Sequence, residues 1–225
     1  MKFTNLNKLQ IYYDNACKCE LKKTAKQAVF GNGNPKAQVV FIGEAPGKKE
    51  DETGVPFIGT AGKFLDTMLQ SIKLSRADIY ITNTVKYRPP ENRDPTPIEK
   101  QQCRDWLIAE LNYIKPDLIV FLGRHAMNSF FPELSISDAH GKIINKAKYI
   151  DTKNSKKTSS TKNNSKEQKT NSNTEDNTLL LSKIKTANFL PLYHPAAALY
   201  NGNMRITLLK DFKQVHKLLK KISEK

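Results

Sequence analysis

Four side chains in this 225-residue chain are of types that could together grip a flat heterocycle: Glu44, Phe57, Asn83 and His194. Glu44 sits in Gly43-Glu44-Ala45-Pro46-Gly47, directly after an apolar run. Glycines on both sides let the backbone turn sharply and approach a ligand closely, with a carboxylate at the strand end. Phe57 lies in Gly54-Val55-Pro56-Phe57-Ile58-Gly59, where a ring could stack on a planar base for roughly 1–3 kcal/mol. Asn83, in Ile81-Thr82-Asn83-Thr84, offers a donor and an acceptor side by side. That pair matches a pyrimidine edge with adjacent N–H and carbonyl groups, and cytosine presents a different pattern. His194, in Tyr193-His194-Pro195, could donate a hydrogen bond to a carbonyl as charge builds on a departing base. Each has a plainer reading: a turn acid, a core plug, a strand-end turn residue, a chance histidine. Only their joint placement lifts them above it.

That placement depends on four apolar runs, Gln38–Ile42, Ile79–Asn83, Leu118–Leu122 and Phe189–Tyr193. Their continuous β-branched and aromatic character suits buried parallel strands. Helical spacing appears between and after them. Ala61–Ile72 carries Phe64, Leu65, Met68, Leu69 and Ile72. Thr96-Pro97 reads as an N-cap followed by a first-turn proline, ahead of Trp106, Leu107, Leu111 and Ile114. Arg205–Ile222 carries Leu208, Leu209, Phe212, Val215, Leu218 and Leu219. The alternation predicts an α/β fold, a three-layer α/β/α sandwich around a central, mostly parallel four-stranded sheet. Ligands in such folds bind outside the carboxyl ends of the strands. Glu44, Asn83 and His194 fall at three of those ends and Phe57 in the loop after the first.

The formal net charge of +15 favours a polyanionic partner, although a biased genome also yields lysine-rich chains. No apolar run is long enough for a bilayer, and the first residues lack the apolar centre of a signal peptide. A soluble, cytoplasmic monomer without membrane contact is the expectation. Residues 151–178 are almost wholly polar, with 6 Lys against 4 acidic residues, and predict a disordered insertion within one domain spanning 1–225. A tolerated insertion and a loose DNA tether are both open. Cys17, Cys19 and Cys103 are too few and too oddly spaced for a disulfide framework, leaving free thiols or metal ligands.

The stretches GEAPGKKEDETGVPFIGTAGKFLD, IYITNTVKYRPPENRDPTPIEKQQC, PDLIVFLGRHA and LPLYHPAAALY resemble the type-4 uracil-DNA glycosylases of bacteria and archaea. The resemblance covers the chain apart from 151–178 and the extreme ends. It implies hydrolysis of the N-glycosidic bond of a flipped deoxyuridine in single- or double-stranded DNA, as in base excision repair. By the same resemblance, Glu44 belongs to a water-positioning motif and Phe57 stacks on uracil. Asn83 reads its polar edge, His194 bonds its O2, and backbone at Gly43 and Ala45 lines the pocket. Leu199, or its neighbour Tyr200, would fill the gap in the duplex. No lysine is placed to attack the sugar, which implies a monofunctional enzyme.

The resemblance also implies a [4Fe–4S] cluster on four cysteines, the expected ligand set for such a cluster. Here Cys19 and Cys103 match two ligand positions, Cys17 stands one residue out of register beside Ala16, and Tyr87 replaces a third thiolate in Lys86-Tyr87-Arg88-Pro89-Pro90. A full cluster is therefore not expected, and the hydrolysis as outlined requires no cofactor. Rival readings are a non-catalytic DNA-binding protein and a glycosylase for other damaged bases. A nucleotide-binding enzyme is disfavoured, since neither G-x-G-x-x-G nor Gly-Lys-Ser/Thr occurs.

Overall fold

The computed structural model describes residues 5–159, 180–186 and 188–224. Its centre is four parallel strands: β2 (Val39–Gly43), β3 (Tyr80–Asn83), β4 (Leu118–Leu122) and β6 (Asn188–Leu192). Two-residue strands β1 (Asn32–Gly33) and β5 (Ile144–Asn145) pair antiparallel to β3 and β6, so the order is β1-β3-β2-β4-β6-β5. The sheet is thus six-stranded where four strands were expected. The two additions have no apolar run to announce them, and short edges of this kind blunt an exposed sheet margin.

Successive strand residues point to opposite faces, which divides the core in two. Val40, Ile42, Ile119, Phe121 and Phe189 pack with Leu107 and Leu111 of the helix α4 (Pro97–Ile114) and with Phe130 and Phe131. Val39, Phe41, Val120 and Leu190 pack on the other side against α3 (Thr60–Ser71) and α9 (Gly202–Ser223). There Phe212 lies nearly parallel to Phe41, with ring centroids 5.5 Å apart. Each large apolar side chain buried this way stabilises the fold by roughly 1.5–3 kcal/mol. Helix α1 (Leu6–Ala16) packs on α4 as an outer layer.

Local chemistry sets where α4 begins. The Thr96 hydroxyl accepts from the Glu99 N–H at 3.3 Å, and the Glu99 carboxylate accepts from the Thr96 N–H at 2.7 Å. This reciprocal cap satisfies two of the orphan donors at the helix start. The remaining short helices are α2 (Lys48–Thr53), α5 (Arg124–Asn128), α6 (Ile136–Ala139) and α8 (Ala197–Tyr200). Helix α7 (Lys146–Ser159) enters the expected insertion as far as Ser159, and residues 160–178 lie outside the described residues. No helix among the described residues is long and apolar enough to cross a membrane.

Candidate active site

Because β2, β3, β4 and β6 are parallel, their carboxyl ends open on one side, and the four residues of interest meet there. Gly43 ends β2 opposite Asn83 at the end of β3. A Cβ at position 43 would stand 2.5 Å from Asn83 Oδ1 and 2.5 Å from Phe57 Cζ. Glycine is what lets these side chains close in on the turn. The Asn83 side chain is buried, and its Oδ1 has no hydrogen-bond partner. Leaving a buried acceptor unpaired costs about 1–3 kcal/mol, so such an atom reads as one awaiting a ligand.

Phe57 adopts a left-handed backbone, φ 55°, that a bulky residue takes only when its surroundings impose it. Two side chains impose it here. Glu50 accepts the Ile58 and Gly59 N–H groups at 3.0 and 2.8 Å and the Gly47 N–H at 3.1 Å. One carboxylate therefore ties the Gly43–Gly47 turn to the Phe57 loop. Arg76 donates to the Pro56 carbonyl at 3.1 Å and to the Phe57 carbonyl, and is itself held by Asp66 at 2.7 Å. The Phe57 ring ends 5.9 Å from the His194 ring, tilted by 34°.

His194 follows β6. Its Nδ1 accepts the Ala196 N–H at 3.2 Å, which assigns the ring proton to Nε2. Burial, helped by the nearby His125, pushes its pKa down to about 4. A neutral imidazole with Nε2–H is a fixed donor. Glu44 behaves in the opposite sense: burial, reinforced by Asp94, raises its pKa to about 7 against the lowering pull of Lys100 and Arg124. Leu199 and Tyr200 end α8, 44% and 90% exposed, and Ala45 is half-buried against Tyr13 and its neighbours.

Several polar groups beside these four were not singled out from the sequence. His125 Nδ1 lies 3.3 Å from Glu44 Oε1, His125 Nε2 lies 3.2 Å from Asp94 Oδ2, and Lys100 Nζ lies 3.9 Å from Glu44 Oε1. His125 stands just past the end of β4, and the rule that ligands gather at strand ends is the signal that could have found it. The ligand atoms of Glu44, Asp94 and His125 lie within 4.8 Å of one another, a spacing compatible with a cation. Lys100 and Arg124 already supply positive charge there. Behind the pocket, buried Lys86 pairs with Glu110 at 2.7 Å and donates to the Asn83 carbonyl at 3.0 Å. Glu110 also accepts the hydroxyls of Tyr80 and Thr82 at 2.8 and 2.9 Å.

The three cysteines converge in a separate buried cluster with Tyr13 and Tyr87. Tyr13 Oη lies 3.3 Å from Cys103 Sγ, and the Cys103 thiol hydrogen-bonds with both Cys17 and Cys19. The Cys103 bond and then burial raise the Cys17 pKa far above its ordinary value, which holds that sulfur as a thiol. Tyr87 stacks on Tyr13 at 5.8 Å and turns its hydroxyl to Asp14 at 3.0 Å. Sulfurs in mutual contact, with a phenol bonded elsewhere in the fourth position, do not fit a four-thiolate cluster. No step of the chemistry is routed through one.

Residues 30–222 match the family described as the Uracil DNA glycosylase superfamily, and the chain belongs to it. Within that superfamily it is similar to type-4 uracil-DNA glycosylases. That of Archaeoglobus fulgidus is 40% identical over 206 residues, covering 89% of this chain and 86% of that protein. That of Saccharolobus solfataricus is 40% identical over 204 residues, 90% and 81% of the two chains. The Thermotoga maritima enzyme is 44% identical over 131 residues, 57% of this chain and 67% of that one.

Proposed function

We propose that this chain is a uracil-DNA glycosylase that hydrolyses the bond between uracil and deoxyribose and leaves an abasic site. The observation that carries the reading is the buried, unpartnered Asn83 Oδ1, set between the glycine turn and the Phe57 ring. It is an acceptor suited to the N3–H of uracil, while the amide N–H group suits O4. The target nucleotide must leave the stack, at a cost of a few kcal/mol. Leu199 or Tyr200, exposed on α8, would occupy the gap it leaves.

Inside the pocket, Phe57 stacks on the base and His194 donates from Nε2 to O2. As the C1′–N1 bond breaks, its electron pair moves onto uracil, and this hydrogen bond strengthens with the charge. The Glu44 carboxylate holds a water whose oxygen bonds to C1′ and takes up the proton released. Lys100 is the amine beside Glu44, and there it serves as a paired ammonium rather than a nucleophile. The hydrolysis is therefore monofunctional, and no cluster takes part.

Oligonucleotides bearing one uracil, single- and double-stranded, incubated with the protein and then cleaved with alkali, test the reading. Strand scission at the uracil position is expected. Binding without scission would leave a non-catalytic DNA-binding protein. Borohydride added during turnover is expected to trap no covalent adduct, and an adduct would overturn the monofunctional assignment.

A further inference from the structure

We propose that Arg76, locked by Asp66, is a positioning residue that fixes the attitude of the Phe57 ring by gripping the peptide carbonyls on both sides of the Phe57 Cα. The inference rests on the glycosylase reading above, in which Phe57 stacks on uracil.

A side chain leaves its Cα in a direction set by the two peptide planes that meet there, since each residue has only two soft backbone dihedrals. Arg76 Nη1 donates to the Pro56 carbonyl at 3.1 Å, and Nη2 donates to the Phe57 carbonyl. One planar guanidinium therefore holds the plane before Phe57 and the plane after it, and so fixes both dihedrals. The outcome is φ 55°, which a bulky residue avoids unless its surroundings impose it. Glu50 takes the other end of the second plane, through the Ile58 N–H at 3.0 Å, whereas Arg76 reaches both planes.

The guanidinium is itself held. Asp66, on α3, accepts from Nε at 2.7 Å and from Nη2 at 3.3 Å. The fork is thus shared between one carboxylate and two carbonyls, a geometry that the point charge of a lysine does not reproduce. A Cβ on Gly62 of α3 would lie 1.6 Å from the Phe57 carbonyl oxygen, so that oxygen is confined between the helix and Arg76. The Arg76 backbone lies in a turn closed by Asp78, whose carboxylate accepts the Ser75 N–H at 2.8 Å and the Ser75 hydroxyl at 2.7 Å. Helix α3, the turn before β3 and the Phe57 loop are joined at this one side chain. At the far end, the Phe57 ring stands 5.9 Å from the His194 ring and would come within 2.5 Å of a Cβ on Gly43. Rotation at the Phe57 Cα would move the ring relative to both, and misplacement of about 1 Å can cost 100-fold in rate.

The test is a double-mutant cycle in the full chain between Arg76→Met and Phe57→Ala, read by single-turnover cleavage of uracil-DNA. Methionine keeps an apolar stem and removes every donor. Phe57→Ala is expected to lose about 10- to 100-fold in rate, the fold-change that corresponds to stacking on one base. Arg76→Met should lose about 10-fold in the parent and nothing further in the Phe57→Ala background, because its effect passes through the ring. Equal losses in the two backgrounds, or no loss in the parent, would overturn the proposal. Affinity for uracil-free DNA should be unchanged in Arg76→Met. A loss there that matches the loss in rate would make Arg76 a phosphate contact and overturn the proposal as well. Thermal melts register any general loss of fold. An inactive parent would instead sink the glycosylase reading, and NMR decides the grip without substrate. With ring-¹³C phenylalanine, the signal that disappears in Phe57→Ala should shift in Arg76→Met, and an unshifted signal refutes the grip.

Discussion

Gly43 and Asn83 face each other across the ends of β2 and β3, and a single added carbon on Gly43 would reach within 2.5 Å of the Asn83 side-chain oxygen. The same carbon would reach within 2.5 Å of the Phe57 ring, so the two groups proposed to hold the base meet over one missing side chain. Gly43→Ala is expected to displace both while leaving β2, buried throughout, in its register. Steady-state kinetics should show kcat/KM down by at least about tenfold, since misplacement of about 1 Å can cost 100-fold. Retention of full activity would show that the pocket does not need this close approach.

The two titratable groups in the pocket give the rate a defined pH dependence. Glu44 must be ionised to take a proton from water, and its pKa is raised to about 7. The competent form therefore accumulates above that value and is lost as pH falls through it. His194, with its pKa pushed down to about 4, keeps its neutral donor form throughout that window. Single-turnover rates should climb between pH 6 and 8 with one acid limb. Glu44→Gln should flatten the limb and lower the plateau.

His194→Ala should keep that limb and lose about 10²–10³ in rate, the usual cost of one transition-state donor. Binding of uracil-DNA should change far less than kcat. A matching loss in both would assign His194 to ground-state recognition instead.

Lys86 and Glu110 form an ion pair whose side chains are 2% and 4% exposed. Removing one partner leaves a buried charge uncompensated, so Lys86→Met should destabilise the fold by about 3–5 kcal/mol. Lys86→Met combined with Glu110→Leu removes both charges and should recover much of that loss. Chemical denaturation of the three proteins measures the difference. Because Lys86 also donates to the Asn83 carbonyl, both variants should weaken uracil recognition.

The thiol cluster makes a compositional prediction. Protein purified without oxygen should carry far fewer than four irons per chain and lack broad visible absorption. Four irons per chain would mean that Tyr13, Tyr87 and the three sulfurs rearrange to admit a cluster.

Much of this was legible in the residues alone, for a physical reason. The central strands are buried on both faces and so need unbroken apolar runs, which the sequence displays. The start of α4 depends on Thr96, Pro97 and Glu99, neighbours in the chain whose cap is local chemistry. Glu44, Asn83 and His194 were legible because parallel strands bring their carboxyl ends to one side whatever the details of packing.

Contacts between distant elements left no such trace. β1 and β5 exist only as partners for β3 and β6, and two residues carry no periodicity. Glu50 looked like one more acid in a charged helix, yet it joins the turn after β2 to the loop that bends Phe57. His125 looked like part of a helix, yet its Nδ1 lies 3.3 Å from Glu44 Oε1 at the end of the neighbouring strand. Sequence by itself determined the four central strands, the cap of α4 and the strand ends at which Glu44, Asn83 and His194 sit, since those follow from burial and local hydrogen bonding. Only tertiary structure decided which of the remaining polar groups meet, because a contact between residues about eighty positions apart depends on three-dimensional distance and not on spacing.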